Sequence, residues 1–392
     1  MQEFAVDERA LAKIAQTAFN RSPSVLASWQ REAISYRIIN RVTAGLYRFT
    51  GTSIDQRGSY DWSLVLKILQ QDIKDTASTF NPSDDPAYWN YWRREADAYL
   101  SDILHELPRG FGVPRCYAVS AETPATLWLW MEDIHGLPAT QWPLQRFQLA
   151  AQHLGQFQAR CAAQPELPAF PWLSRKWFRS WVPAETTIAL DLITNPRSWQ
   201  HPLLASSLSP THADRIMSIW QQRFTLLATV EQLPQTLCHL DVWPPNLFAR
   251  QTPDEQDQTV FLDWSQVGLG AYGEDIANLV LDSVWMLKVD VALLTEFERL
   301  VWDGYLTGLR LSGWDADARS VRFVYAATAA LRFGLLAGLL LRQVHDSQDH
   351  KAIEQRYQRP FDQIMAQRTA VVAHALQLAD EAETLLPLVT VA

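Results

Sequence analysis

Residues 237–248 read LCHLDVWPPNLF and residues 260–264 read VFLDW, and these two stretches are the most informative part of the chain. In each stretch an apolar run that is typical of a buried strand ends at a carboxylate, Asp241 in the first and Asp263 in the second. The carboxamide of Asn246 follows shortly after Asp241. We therefore expect Asp241, Asn246 and Asp263 to converge on one point while the apolar residues beside them are buried.

These residue types suit the transfer of a phosphoryl group from ATP to a hydroxyl. That reaction needs the acceptor proton to be taken up and the phosphate charge to be held by a divalent metal, more than it needs covalent help from the protein. Asp241 suits the first task, as the catalytic base. Mg²⁺ prefers oxygen ligands, so Asn246 and Asp263 are the predicted metal ligands. The D-x-x-x-x-N spacing with a later Asp follows the catalytic-loop pattern of kinases.

With these motifs the chain resembles the aminoglycoside phosphotransferase and choline kinase-like superfamily, the small-molecule branch of the protein-kinase-like fold. The resemblance rests on HLD at 239–241 with Asn246, on LDW at 262–264 where protein kinases have Asp-Phe-Gly, and on EDIA at 274–277. It implies that His239 bonds the backbone near the metal-binding Asp. It also implies that Asp275 opens a helix and braces the catalytic loop.

The resemblance extends upstream to the nucleotide side. SLVLKIL at 63–69 looks like the third strand with its phosphate-binding Lys67, and RREA at 93–96 looks like the helix whose Glu95 pairs with that lysine. Lys67 would hold the α- and β-phosphates as a point charge. Glu132 and Ile134, in the hinge, would offer backbone N–H and C=O groups to the adenine edge. The implied cofactors are ATP and Mg²⁺.

The implied fold is α+β and two-lobed, with a small, mostly antiparallel β N-lobe that holds one key helix and a larger helical C-lobe. Sequence patterns agree with it, because apolar alternation predicts five N-lobe strands and one helix. Helices are predicted at 8–20, 25–33 and 88–104, and strands at 34–39, 46–50, 64–69, 116–119 and 127–131. Beyond Gly136 the period is helical, except for a β-hairpin around Asn246 and Asp263.

Three parts of the chain follow from these patterns. Residues 1–33 are predicted to be an N-terminal helical extension, residues 34–134 the nucleotide-binding N-lobe, and residues 135–392 the helical C-lobe with the catalytic loop and the acceptor site. The boundary between lobes is placed at the hinge MEDIHG, residues 131–136, where a strand leaves into a glycine-containing linker.

The acceptor is predicted to be a small molecule with a hydroxyl, and three classes stay open: aminoglycosides, sugars or amino sugars, and choline-like alcohols. Sugars and quaternary amines both stack on aromatic rings, so Trp243 and Trp285 are candidates for the acceptor site. The carboxylates Glu274 and Asp282, which follow the metal motif, are further candidates.

Two other interpretations compete with this one. The first is a catalytically silent, nucleotide-binding kinase-like scaffold, although Lys67, Asp241, Asn246 and Asp263 are all present. The second is a dinucleotide-binding fold, because GLGAYG at 268–273 is formally G-x-G-x-x-G. Few strands remain after this motif to build a doubly wound sheet, so we favour a turn after the metal-binding Asp.

Composition narrows the partners and the compartment. The formal charge is −9 and Lys and Arg are not clustered, which argues against nucleic acid as a partner. Three widely spaced cysteines and an acidic N-terminus without a secretory pattern favour the cytoplasm. The apolar segment 324–341 is long enough to suggest a membrane span, but Arg332 in its middle favours a buried core helix. No membrane partner is predicted, and the oligomeric state stays open.

Overall fold

The computed structural model describes residues 4–21, 25–34, 41–71, 81–164, 166–185, 189–204, 207–347 and 349–389. Two lobes are built around separate apolar cores. The strands are β1 (Val25–Ala33), β2 (Thr43–Asp55), β3 (Gly58–Gln70), β4 (Phe111–Gly112), β5 (Cys116–Thr123), β6 (Thr126–Glu132), β7 (Leu137–Pro138), β8 (Gln235–Cys238), β9 (Leu247–Gln251), β10 (Asp257–Phe261) and β11 (Gly268–Ala271).

The N-lobe is a five-stranded antiparallel sheet in the order β1-β2-β3-β6-β5. The strands predicted at 46–50, 64–69, 116–119 and 127–131 lie inside β2, β3, β5 and β6, so these four predictions are confirmed. Both faces of β3 are covered around Lys67: Leu64 and Leu66 pack into one core cluster, and Val65 and Leu69 pack into another. The lysine is therefore carried on a strand that packing holds from both sides.

The helix predicted at 25–33 is wrong, because this segment is β1. Its sequence, VLASWQREA, is rich in residues that favour helices, but it pairs with β2 over its whole length, from Val25 opposite Ile54 to Ala33 opposite Tyr47. Tertiary pairing here overrides local propensity. Residues 25–33 therefore belong to the N-lobe sheet and not to a helical extension. The strand predicted at 34–39 lies outside the described residues, apart from Ile34.

The helices are α1 (Glu8–Ala18), α2 (Arg94–Leu100), α3 (Leu144–Ala162), α4 (Trp177–Glu185), α5 (Leu190–Thr194), α6 (Thr211–Gln232), α7 (Glu274–Trp285), α8 (Leu294–Leu311), α9 (Ala318–Arg332), α10 (Ala337–His345), α11 (His350–Tyr357) and α12 (Phe361–Val389). The first predicted helix is confirmed as α1, and it packs on the N-lobe sheet through Leu11 and Ala15. The helix predicted at 88–104 is shorter, because turns precede Arg94 and the backbone becomes extended at Ser101.

The C-lobe core holds the predicted β-hairpin and the long apolar segment. The hairpin is confirmed as β9 and β10, paired antiparallel from Leu247 opposite Phe261 to Gln251 opposite Asp257. The segment from Ala318 to His345 is apolar and long enough to cross a membrane, yet 83% of its most apolar window is buried in the protein. The segment forms α9, a short 3₁₀ turn and α10, as expected for helices of a core.

The glycine-rich stretch 268–273 does not form a dinucleotide-binding unit. Its first four residues are β11, which pairs antiparallel with β8 in a two-stranded sheet. A dinucleotide fold needs a parallel strand at this point. Gly273, with φ 113°, then begins α7 in a left-handed conformation that glycine adopts without strain.

Candidate active site

Lys67 is the centre of a buried charge cluster between the lobes. Its Nζ lies 2.6 Å from Glu95 Oε2 on α2 and 2.9 Å from Asp263 Oδ1 beyond β10. Burial alone would lower the pKa of Lys67, but the two carboxylates raise it above its ordinary value. Burial also raises the pKa of Glu95, whereas Lys67 outweighs burial at Asp263 and holds its pKa low. The predicted contact between Lys67 and Glu95 is confirmed.

The catalytic loop is held by hydrogen bonds to its backbone. Asp275 accepts the N–H groups of His239 at 2.9 Å and of Leu240 at 2.6 Å, as expected for a residue that braces the loop. His239 is fully buried, and its Nε2 lies 2.8 Å from the Leu262 carbonyl oxygen next to Asp263. Leu240 has φ 64°, a left-handed backbone that a branched residue adopts only where its surroundings enforce it.

Asp241 and Asn246 are bonded to each other at the end of this loop. Asn246 Nδ2 donates to Asp241 Oδ2 at 2.9 Å and to the Asp241 carbonyl oxygen at 3.0 Å. Burial raises the pKa of Asp241 to about 7, and the nearby charge of Asp263 adds to the shift. A carboxylate with a pKa near neutrality is suited to take up a proton from a hydroxyl.

Asn246 and Asp263 fit a site for a divalent cation. Because Nδ2 of Asn246 is used on Asp241, its amide oxygen is left as a ligand. Asp263 has φ 60° and accepts the Lys67 ammonium through Oδ1, so Oδ2 is its candidate metal ligand. In the described residues, no cluster of three or more His, Cys, Asp or Glu side chains could hold a metal ion alone. A cation with few protein ligands, completed by water and phosphate oxygens, is the usual form of a Mg²⁺ site.

Aromatic packing fixes the position of Asp263. Phe111 stacks between Phe157 of α3 and Phe261 at the end of β10, with ring centroids 4.2 and 4.3 Å apart. Trp264, fully buried, packs edge-on against Phe111 and donates through Nε1 to the Phe261 carbonyl oxygen at 3.0 Å. Phe261 and Trp264, on either side of Asp263, are therefore both held by packing in the C-lobe core.

A cavity of about 290 Å³ opens between the lobes and joins these residues to the hinge. It is lined by all of the predicted nucleotide and metal residues: Lys67, Glu95, Glu132, Ile134, Asn246 and Asp263. The Glu132 N–H is used within the protein, because it donates to the Arg115 carbonyl oxygen at 2.8 Å. Of the Glu132 backbone, the C=O is therefore the group left for a ligand.

Comparison with known proteins settles the family. The sequence profile described as "APH: Phosphotransferase enzyme family" matches residues 57–315, about two thirds of the chain. The chain belongs to this phosphotransferase family. No curated protein sequence is significantly similar to it.

Several solved structures resemble this phosphotransferase. Amicoumacin kinase hAmiN, in complex with AMP-PNP, Ca²⁺ and Ami, is 18% identical with a TM-score of 0.48, over 92% of this chain and 93% of that one. Choline kinase from Cryptosporidium parvum Iowa II is 15% identical with a TM-score of 0.46, over 92% of each chain. Spectinomycin phosphotransferase APH(9)-Ia, with ADP and spectinomycin, is 10% identical with a TM-score of 0.43, over 95% and 99%. The profile match confirms the predicted phosphotransferase family, and the antiparallel N-lobe sheet with the helical C-lobe confirms the predicted two-lobed α+β fold.

The residues predicted for the acceptor site of the phosphotransferase lie in different surroundings. Glu274 is buried and accepts the Ala271 N–H at 2.7 Å, so it closes a turn. Trp285 is part of the helical core, and the Arg368 guanidinium lies 4.9 Å from its ring centroid. The structure does not support an acceptor role for these two. Trp243 is 7% exposed, which leaves little of its ring for stacking.

Sequence reasoning missed three residues that shape this site. Gln158 donates to Asp275 Oδ2 at 2.8 Å. Arg94 is fully buried and donates to the Trp89 carbonyl oxygen at 2.6 Å and to the Tyr88 carbonyl oxygen at 2.7 Å. Arg332 donates to Asp282 at 3.1 Å. The partners of Gln158 and Arg332 are distant in the sequence, and those of Arg94 are backbone oxygens, so no spacing pattern marks any of the three.

Proposed function

We propose that this phosphotransferase moves the γ-phosphate of ATP to a hydroxyl of a small molecule, with aminoglycosides, amino sugars or sugars, and choline-like alcohols as the candidate acceptors. The observation that carries the proposal is one continuous arrangement along the interlobe cavity. Lys67 contacts Asp263, and Asn246 contacts Asp241. In this arrangement Lys67 would bind phosphate, Asn246 and Asp263 would hold the metal ion and Asp241 would act as the base, which is the order that phosphoryl transfer needs.

ATP would bind in the interlobe cavity with its base at the hinge. The Glu132 C=O and the Ile134 backbone would meet the adenine edge, and Lys67 would bind the α- and β-phosphates. Bound Mg²⁺, held by Asn246 and Asp263, would neutralise phosphate charge. Glu95 would hold Lys67 in place when Asp263 turns to the metal, because Lys67 contacts both carboxylates.

Asp241 would act on the acceptor hydroxyl. Its carboxylate accepts the hydroxyl proton as the acceptor oxygen forms a bond to the γ-phosphorus, and the bond between that phosphorus and the β–γ bridging oxygen breaks to release ADP. The Asn246 amide keeps the Asp241 carboxylate oriented. We also propose a cytoplasmic location, which three free cysteines support.

The charge of Asp241 is the feature to test first. Asp241→Asn keeps the shape and removes the proton acceptor, so kcat should fall by roughly 10² to 10⁴. ATP affinity should barely change. The measurement is ADP release with a panel of aminoglycosides, sugars and choline, beside ATP binding by calorimetry. Asp315→Asn, the same change at an exposed position, is the matched control.

Two outcomes would contradict the proposal. Substantial turnover by Asp241→Asn on an acceptor that the wild type phosphorylates would show that Asp241 is not the catalytic base. ATP binding by the wild type without transfer to any panel member would favour the catalytically silent scaffold.

A further inference from the structure

A second ion pair lies on the C-lobe side of the catalytic loop. Arg332, at the end of α9, donates through Nη2 to Asp282 Oδ2 on α7 at 3.1 Å. The two side chains are 11% and 18% exposed. The pair is therefore mostly buried, but both side chains keep some exposed surface.

Helix α7 carries Asp282 on the face that contacts the catalytic loop. Its first turn binds the catalytic loop through Asp275. Asn278, in the next turn, donates to the Val242 carbonyl oxygen at 3.1 Å. Asp282 is four residues further along and so lies on the same face of the helix.

Arg332 also covers the aromatic wall beside the pair. Its guanidinium carbon lies 4.7 Å from the ring centroid of Trp181 and 5.7 Å from that of Trp177, both on α4. A cationic ligand gains from an aromatic ring only when the ring face is open to it. Here the protein's own cation occupies these rings, and it also neutralises Asp282. Both attractions that a cationic acceptor would use are therefore already satisfied.

Arg332 keeps donors for a different kind of ligand. Only Nη2 is bonded to Asp282, and Nε and Nη1 make no hydrogen bond to the described residues. A guanidinium donates in a fixed fork, and a neighbouring carboxylate accepts. Adjacent hydroxyls of one ligand can accept hydrogen bonds from the Arg332 guanidinium and donate them to the Asp282 carboxylate, while a third hydroxyl meets Asp241.

We propose that Arg332 and Asp282 form the polar wall of the acceptor site, and that Arg332 selects a neutral, hydroxyl-rich acceptor, a sugar or polyol, over a cationic one. The proposal rests on the proposed function, because the acceptor is the molecule whose hydroxyl meets Asp241. Arg332 acts here as a specificity-determining residue. Asp282 positions its guanidinium.

Direct binding tests this without requiring turnover. The probes are glucose, ribose and myo-inositol as neutral ligands, and kanamycin and choline as cations, each titrated into the full chain by calorimetry with Mg²⁺ and a non-hydrolysable ATP analogue. Arg332→Gln removes the charge, and Arg332→Lys keeps the charge without the fork. The matched control is Arg322→Gln on the same helix, where Arg322 likewise pairs with carboxylates and lies over aromatic rings.

We expect the wild type to bind a neutral probe and to reject the cations. Arg332→Gln should lower the affinity for the neutral probe about 10-fold or more, the effect of losing a charged hydrogen bond. The same variant should bind a cation more tightly than the wild type does. Arg332→Lys should lower the affinity for the neutral probe and should still not bind the cations. Arg322→Gln should behave as the wild type.

Two results would overturn the inference. One is tighter binding of a cation than of every neutral probe by the wild type. The other is Arg332→Gln with the affinities of the wild type. Failure of the proposed function would be seen separately, as a wild type that does not bind the ATP analogue.

Discussion

Lys67 balances the charge of the nucleotide side of the cleft. It is 5% exposed and lies against two carboxylates, Glu95 and Asp263, which approach from different lobes. Buried carboxylates without a cation are costly, so the three residues depend on one another. A nucleotide and its metal would bring further charge to the same place, which makes Lys67 the residue where stability and binding are coupled.

Replacing this lysine should therefore affect both properties. Lys67→Met should lower the free energy of unfolding by about 3 to 5 kcal/mol, because it leaves buried carboxylates unpaired, and should remove ATP binding. Adding Glu95→Gln should restore part of the stability but not the binding. Urea denaturation and calorimetric ATP titration of the two variants measure these effects. A double variant that regains ATP affinity would show that Lys67 does not hold the phosphates.

Residue identities were predictable where the chemistry allows few alternatives. Lys67, Asp241, Asn246 and Asp263 stand at the ends or centres of apolar strands in a fixed order. The structure brings Lys67, Asn246 and Asp263 to one cavity, and Asp241 is bonded to Asn246. Arg332 was recognised in the sequence only as an interruption of an apolar segment. Its partners Asp282 and Trp181 come from other helices, so its surroundings follow from tertiary packing alone.

At the scale of elements, α2 is short and depends on Arg94. This arginine is fully buried, and among the described residues no carboxylate is in hydrogen-bonding contact with it. Its donors satisfy carbonyl oxygens of the turn before α2, at Pro86, Tyr88 and Trp89. Burial lowers its pKa to about 10, so it stays charged at neutral pH. The next residue is Glu95, so this turn sets the position of the Lys67 partner.

Arg94→Met should leave those oxygens unsatisfied and destabilise the fold by several kcal/mol, on the order of 2 to 4. Because Glu95 would lose its support, KM for ATP should rise as well. Arg93→Met is the matched control, since Arg93 lies over the Trp92 ring at 5.4 Å and is only partly buried. Denaturation curves and ATP kinetics of the two variants make the comparison. If Arg94→Met and Arg93→Met lost equally little stability and ATP affinity, the role of Arg94 would be contradicted.

The contact between α3 and β10 should make stability depend on pH. His153 is buried, with Nδ1 3.0 Å from Thr259 Oγ1, and burial lowers its pKa to about 4, with Arg146 adding to the effect. The unfolded chain, with an ordinary pKa near 6.5, binds a proton that the folded chain does not between these values. Stability is therefore complete above pH ~6.5 and falls as pH decreases toward about 4.

His153→Gln should flatten this dependence by up to about 3 kcal/mol over the window. The measurement is the free energy of unfolding at several pH values from 7 to 4.5. His135→Gln, at a position whose side chain is 82% exposed, serves as control and should keep the slope of the wild type. A slope unchanged in His153→Gln would show that this histidine is not forced to stay neutral.

Elements were predictable where alternation or periodicity is strong, as in β3, β6 and the hairpin of β9 and β10. β1 was predicted as a helix because its residues favour one. It forms a strand because it pairs antiparallel with β2. The length of α2 was also overestimated. Its apolar residues continue on both sides, but Arg94 directs the preceding segment into turns.

For the whole molecule, the two lobes meet at the hinge and around the cavity. Nη1 of Arg250 on β9 lies 2.6 Å from Oε1 of Glu132 at the end of β6, and Nε of Arg48 on β2 lies 2.8 Å from Oδ2 of Asp133. Each lobe thus holds one hinge residue. Lys67 of the N-lobe and Asp263 of the C-lobe close the inner end of the same cavity. We expect nucleotide and metal to bind between these two sets of contacts.

A crystal structure with a non-hydrolysable ATP analogue and Mg²⁺ tests this claim most directly. We expect the phosphates at Lys67, the base at the hinge, and a metal ion about 2.0 to 2.1 Å from oxygens of Asn246 and Asp263. In Asp263→Ala the metal should be lost and the phosphates displaced. A nucleotide bound outside the interlobe cavity, or a metal ion that neither Asn246 nor Asp263 contacts, would contradict the account.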